Sequence, residues 1–231
     1  MALVAHYKLN ELTGTSGANS IVDSSTNNYH GEPAAAVVSA TGKRQSAVYF
    51  DGAADFIEVA DNANFDLTGD STIAFWAYVD SDTPANSFFI SKEQDSSGDG
   101  WAMNKVGSTV VLRINEAPTA VTCALAFGEW HHYAVTLDTG GNDTIYLDGV
   151  AVDSDAHVTV IANALAVVMG SRDDAEKGAG SFLKGQLDDV RIYNEVLSAS
   201  QIRGIVSTGG YRARYMAGVV GNLIQWFRTR Y

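Results

Sequence analysis

A chain of 231 residues can bury one sizeable core without covalent staples, and a single large all-β domain is its simplest organisation. The formal net charge of −12 argues against nucleic acid as a partner, because a phosphate binder needs a basic surface to release counterions, whereas bound cations suit it. One cysteine, Cys123, excludes an internal disulfide, and no apolar run reaches the roughly 20 residues needed to cross a bilayer.

In chain order, residues 3–9 alternate, with Leu3, Ala5, Tyr7 and Leu9 on one face and His6 and Lys8 on the other, the period of a half-buried strand. Met1 and Ala2 run straight into this pattern, which gives a cleaved secretion signal no support and points to synthesis in the cytoplasm. A long polar loop follows over residues 10–31, and loops of that length are usually functional or disordered. Residues 47–52 and 56–59 read as a hairpin. Residues 71–79 are apolar on both faces, as in a central strand. Strand patterns recur at 88–92, from Trp101 onward and at 110–114, with a polar loop at 94–100.

The clearest pattern is Trp130-His131-His132-Tyr133-Ala134-Val135-Thr136-Leu137, with Tyr133, Val135 and Leu137 on one face and His132, Ala134 and Thr136 on the other. Asp148-Gly149, between the apolar runs that follow, predicts a type I′ hairpin, since both residues tolerate positive φ. Residues 165–170 and 185–193 complete the strands, and residues 197–205 predict one or two helical turns at the end of the sandwich. Short strands at this spacing, separated by turn residues, predict an antiparallel sandwich or barrel.

Six pieces then occur in a telling order: Asp23-Ser24-Ser25 to Gly31; Val48-Tyr49-Phe50-Asp51-Gly52; Ile73-Ala74-Phe75-Trp76; Trp130-His131-His132-Tyr133-Ala134; Ile145-Tyr146-Leu147-Asp148-Gly149; and Gly185-Gln186-Leu187-Asp188-Asp189-Val190-Arg191-Ile192-Tyr193. Over residues 3–205 the chain resembles a laminin G-like domain of the concanavalin A-like lectin and glucanase superfamily. The resemblance implies an all-β, two-sheet antiparallel jelly roll over residues 1–207, with the first strand beside the last. It also implies a structural calcium site where the early loop meets the last strand, formed by Asp23, Asn28, the Gly31 carbonyl and Asp188. Calcium takes six to eight oxygens, which such groups supply. In the alternative reading Asp23, Ser24 and Ser25 make side-chain turns and Asp188 is a solvated strand end.

A second loop offers Asp95, Asp99 and Trp101 as a ligand site, the carboxylates for a cation or sugar hydroxyls and the indole as a stacking platform; the alternative is a hairpin tip with Trp101 in the core. His131 and His132 do not suit zinc or base chemistry, because neighbours on a strand point to opposite faces and no third ligand has suitable spacing. Trp130, Trp76 and Phe75 read as core, and Cys123 as a buried inert thiol. The superfamily's Glu-x-Asp-x-x-Glu motif is absent, the nearest string from Glu93 ending in Gly98, so no enzyme is expected.

Residues 208–231 form a separate basic tail after a Thr208-Gly209-Gly210 hinge. Arg212, Arg214, Arg228 and Arg230 give it a charge of +4, which leaves −16 on the rest of a −12 chain. Met216, Val220, Leu223, Ile224 and Phe227 recur at helical spacing, with Trp226 in the same stretch, and Gly218 and Gly221 each cost about 1 kcal/mol of helix stability. Such a stripe needs a surface: the chain's own sandwich, a protein assembly or an anionic membrane, of which the assembly is preferred. The resulting expectation is a non-catalytic module displayed on a larger assembly, such as a phage or virion surface, decoration or fibre protein. The alternative is a calcium-dependent carbohydrate-binding module of a microbial surface or secreted protein, and a glycan hydrolase ranks last.

Overall fold

The computed structural model describes residues 2–11, 20–34, 37–94, 98–172 and 181–208. Its strands are β1 (Leu3–Tyr7), β2 (Gly31–Ala34), β3 (Val38–Gly42), β4 (Gln45–Asp51), β5 (Phe56–Val59), β6 (Ser71–Val79), β7 (Asn86–Lys92) and β8 (Trp101–Val106). They continue as β9 (Thr109–Ile114), β10 (Ala117–Ala124), β11 (Trp130–Leu137), β12 (Asn142–Leu147), β13 (Val150–Ala156), β14 (Val167–Met169) and β15 (Lys184–Tyr193), followed by helix α1 (Ala199–Thr208). A 3-10 turn at Ala63–Phe65 interrupts the loop after β5.

These strands form two antiparallel sheets. One has the order β13-β12-β11-β6-β15-β4-β3, with β1 also on β15; the other has the order β10-β9-β8-β7-β14-β5-β2. As expected, the first strand lies beside the last, and β6 is an interior strand, buried along nearly all its length between β11 and β15. Alternation explains the core: Ile73, Phe75, Tyr133, Val135, Leu187 and Ile192 of one sheet face Phe89, Trp101, Met103, Leu112 and Met169 of the other. Phe75, Phe89 and Tyr133 meet with ring centroids 5.4–6.0 Å apart, and each buried aromatic contributes about 1.5–3 kcal/mol. The Asp148-Gly149 hairpin forms with φ of 50° and 81°, the geometry a type I′ turn demands.

Three expectations change. Residues 47–52 and 56–59 are not a hairpin, because β4 pairs with β3 and β15 whereas β5 pairs with β2 and β14 in the opposite sheet. Alternation shows that each strand has a buried face but not which strand lies beside it, and here Asp51 accepts from the amides of Ala53 and Ala54 at a turn that crosses the sandwich. The helix also lies on the outer face of the larger sheet rather than at the sandwich end: Leu197, Ile202 and Ile205 pack on Ala74, Ala134, Tyr146 and Tyr193. Of the three aromatics expected in the core, Phe75 is buried between the sheets and Trp76 is buried on the outer face of the larger sheet, whereas Trp130 is only half-buried.

Candidate functional site

The early loop folds back on β1, with the Ser24 amide donating to the His6 carbonyl at 2.8 Å. Asp23 organises it. Oδ1 accepts from the amides of His6 and Ser25 at 2.9 and 2.8 Å, while Oδ2 accepts from the Ser25 hydroxyl and the Tyr29 amide at 2.6 and 3.0 Å. A carboxylate has about four lone-pair positions, and N–H and O–H donors occupy all four. The Gly31 carbonyl accepts from the Ile21 amide at 3.1 Å, and Asn28, exposed and with φ of 60°, reaches the Thr26 carbonyl.

Asp188 is elsewhere, buried beneath the turn between β3 and β4, where Oδ2 accepts from the Arg44 amide at 2.6 Å. The β15 residue that reaches β1 is Asp189, at the bulge where β15 changes partner from β4 to β1. Its Oδ1 accepts from His6 Nε2 at 2.6 Å, and Arg191 forks the same carboxylate at 2.9–3.0 Å. The expected calcium set of Asp23, Asn28, Gly31 and Asp188 is therefore not assembled, and its donors do not fit the ion. Lone pairs turned to N–H groups cannot also face a cation, and the charge on the β15 side is met by arginine. Among the described residues no group of three or more His, Cys, Asp or Glu side chains could hold a metal ion.

Of the second expected site, Asp95 lies outside the described residues. Asp99 Oδ1 accepts from Asn163 Nδ2 at 3.2 Å. Trp101 offers no platform: it is fully buried and its Nε1 donates to the Phe65 carbonyl at 2.7 Å, so the expectation of ligand contact there is corrected. An indole at the first position of an inward-facing strand fills the core and still finds an acceptor. The adjacent histidines separate as expected: His131 Nδ1 meets Asp148 Oδ2 at 2.8 Å, whereas His132 is fully buried against Trp76. The Cys123 thiol is buried and pushed up to about 12, as an inert thiol should be. The anchor residues Arg212, Arg214, Met216, Val220, Leu223, Ile224, Trp226, Phe227, Arg228 and Arg230 lie outside the described residues.

The register brings together a site that no spacing announced. Across the outer face of the smaller sheet runs the row Glu32, Glu58, Val168, Ser91, Ala102, Arg113, each directly opposite the next. The middle of this face is closed. Ser91 Oγ donates to the Ser171 carbonyl, Arg172 and Arg113 lie 5.4 and 5.9 Å from the Phe88 ring, and Arg113 Nε donates to Glu93 Oε1 at 2.7 Å. Burial pushes the Glu93 carboxyl above the usual range, outweighing the pull of Arg113.

The edge of the same face is open. A cleft of about 330 Å³ lies over β2 and β5, lined by His30, Glu32, Pro33, Ala34, Phe56, Glu58 and Ala60. Glu32 and Glu58 are exposed and stand directly opposite across the two strands, and Phe56 beside them is half-buried. His30 Nδ1 accepts from the Asp23 amide at 3.1 Å, so a neutral His30 carries its proton on Nε2 as a donor. Gly31 allows the edge strand to close in, since a Cβ there would stand 2.8 Å from Ile57 Cγ2. Two acceptors, one donor and a ring edge make a surface suited to a polyhydroxylated guest. The Asp23 loop belongs to this site as scaffold, through its hold on His30 and Tyr29. Sequence reasoning missed Glu32, Glu58 and Phe56 because each is a lone outward residue on a short strand; residues 56–59 were read as a strand, whereas no strand was read over Glu32 and nothing local announced that the two strands are adjacent.

Residues 50–203, two thirds of the chain, match a family model described as the concanavalin A-like lectin/glucanases superfamily. Among curated proteins, C-reactive protein 1.1 of Limulus polyphemus is 30% identical over 112 residues, which is 45% of each chain, so the match spans about half the length of that relative. Among solved structures, the binding domain of Paraclostridial Mosquitocidal Protein 1 superposes with a TM-score of 0.70 at 19% identity, over 90% of this chain and 52% of the other. Domain 4 of a GH43 extracellular arabinanase from Geobacillus stearothermophilus, solved with arabinotriose, superposes with a TM-score of 0.64 at 19% identity, over 89% of this chain and 98% of the other.

Proposed function

The chain belongs to the concanavalin A-like lectin/glucanase superfamily as a laminin G-like domain, and from that premise we propose that it is a non-catalytic glycan-binding module whose ligand lies in the β2–β5 cleft. The observation that carries the proposal is the cleft itself, with Glu32 and Glu58 opposed in register and His30 presenting a donor between a loop and an aromatic edge. Carboxylates accept from sugar hydroxyls, His30 donates to a ring or hydroxyl oxygen, and Phe56 covers an apolar pyranose or furanose face. The arabinotriose complex of the arabinanase domain supports the same reading for this fold. Hydrolysis is not part of it: a glycosidase acid must be kept protonated, usually by burial, and both glutamates are exposed.

Glycan-array screening of the whole chain, followed by calorimetry on the retained sugar, tests this. Glu32→Gln with Glu58→Gln is expected to weaken binding about tenfold or more, the scale of one lost charge-assisted hydrogen bond, with no reducing ends released by either protein. Retention of no glycan, or equal binding by the double variant, overturns the proposal.

Display on a larger assembly through residues 208–231 is a separate proposal that rests on the tail's charge of +4 and its helical apolar spacing. Deletion of residues 209–231 is expected to abolish co-purification with a particle or oligomer while leaving the melting temperature within a few degrees; unchanged assembly overturns it.

A further inference from the structure

β7 ends on Lys92, which is wholly buried. Its Nζ lies 2.9 Å from Asp61 Oδ1, 2.9 Å from Asp66 Oδ1, and 2.8 Å from both the carbonyl oxygen and Oδ1 of Asn163. An ammonium has three N–H donors and four oxygens face this one, so Asp66 is held as an ion pair without an aligned N–H. Asn163 is itself fixed, its Nδ2 donating to the Lys92 carbonyl and to Asp99 Oδ1 and its Oδ1 accepting from the Leu165 amide.

The ligating residues come from two irregular segments. Asp61 and Asp66 flank the 3-10 turn after β5, and Asn163 stands in the connection between β13 and β14. Two carboxylates, a side-chain amide oxygen and a backbone carbonyl converging from separate loops are the donor set that a hard cation gathers. Here the positive charge arrives on a side chain. We infer that Lys92 does the work of a structural metal ion in this domain, clamping the loop after β5 to the loop before β14, so that their closure requires no bound cation. The inference accords with the Asp23 loop, where amides take the lone pairs that a cation would need. The clamp also borders the cleft: Ala60, which lines it, precedes Asp61, and Asn64 Nδ2 in the same loop donates to the Tyr29 hydroxyl beside His30 at 2.7 Å.

Thermal melting of the whole chain in calcium chloride and in EDTA tests the inference, with terbium luminescence as a second readout. The unsubstituted chain is expected to melt within about 1 °C in the two buffers and to give no saturable terbium signal. Lys92→Met copies the stem but ends one atom short of Nζ and leaves two carboxylates uncompensated. It is expected to melt about 10 °C lower in EDTA, the scale for breaking a buried ion pair in a domain of this size, to recover part of the loss in calcium, and to bind terbium saturably. Should that variant fail to fold, Asp61→Asn at the exposed rim of the cage is expected to lower the melting temperature by about 2–4 °C. A fall of several degrees for the unsubstituted chain in EDTA overturns the inference, as does Lys92→Met melting like its parent or showing no cation response, or Asp61→Asn melting unchanged. None of these readouts depends on glycan binding.

Discussion

The two sheets present opposite kinds of outer face. On the larger sheet, α1 seats Leu197, Ile202 and Ile205 on Ala74, Ala134, Tyr146 and Tyr193, and the turn between β3 and β4 folds over Asp188 and Trp76. Arg44 holds the lid: its amide donates to Asp188, and its guanidinium caps the carbonyls of Ile205 and Val206, where a cation also meets the negative end of the helix dipole. Beneath it Asp188, Trp76 and His132 stand opposite one another on β15, β6 and β11, with Lys43 4.8 Å above the indole. Asp188 Oδ1, Trp76 Nε1 and both ring nitrogens of His132 find no protein partner in this row. On the smaller sheet the corresponding polar residues at the β2–β5 edge stay in water and line a cleft. The difference teaches that a polar residue on a sheet's outer face becomes a ligand group or a buried cost according to what covers it. Covering is a tertiary event.

The contrast should break most visibly at the lid. Ile202→Ala removes a fully buried side chain between helix and sheet, and is expected to cost about 2–5 kcal/mol in denaturant unfolding. A cost below about 1 kcal/mol would show that α1 does not seal this face.

A smaller and pH-dependent effect should come from the buried row. Burial raises the Asp188 carboxyl from 3.8 to about 7 and lowers the His132 imidazole from 6.5 to about 4, so both are neutral between those two values. The signs are opposite. The native state resists ionising Asp188, so its penalty grows as pH rises from about 4 to about 7 and then stays; it resists protonating His132, so stability falls as pH drops from about 6.5 to about 4. Asp188→Asn is therefore expected to melt higher than its parent at pH 8 and to lose that advantage near pH 4, whereas His132→Phe should soften the loss on the acid side. Parallel pH profiles for parent and variants would contradict the trapped row.

The smallest effect on stability belongs to the open face. Phe56→Ala at the half-buried wall of the cleft is expected to change unfolding free energy by about 1 kcal/mol or less while weakening glycan binding several-fold. A large loss of stability with binding intact would reverse the roles assigned to the two faces.

Much of the scaffold was legible in the chain. The alternation in residues 130–137, the doubly apolar run at 71–79 and the Asp148-Gly149 turn each follow from local rules, and each forms as expected. The ordered set of motifs identified the family, and with it the pairing of β1 and β15. The candidate site was less legible. Asp23 was singled out as a calcium ligand, with a side-chain turn as the alternative, and it holds the loop through protein donors that include the amides of His6 and Tyr29, which sequence cannot place around it. Asp188 and Asp189 are neighbours of identical chemistry, and a bulge decides which of them faces β1. Lys92 reads in sequence as an ordinary strand end, because its partners lie 26 to 71 positions away.

The sequence by itself determined many of the strands, though not β2, β3 or β10, together with the buried side of those that alternate and the place of the tightest turn, because these depend on residue periodicity and on φ preferences acting over a few residues. Only the tertiary structure decided that β4 and β5 join different sheets, that Glu32 meets Glu58 at an open edge, that Asp188 and His132 are buried in the row beneath the turn between β3 and β4, and that an ammonium fills the cage of Asp61, Asp66 and Asn163. Register, covering and charge pairing are set by which distant segments come to lie side by side, and that is fixed by burying the whole core at once rather than by any local preference.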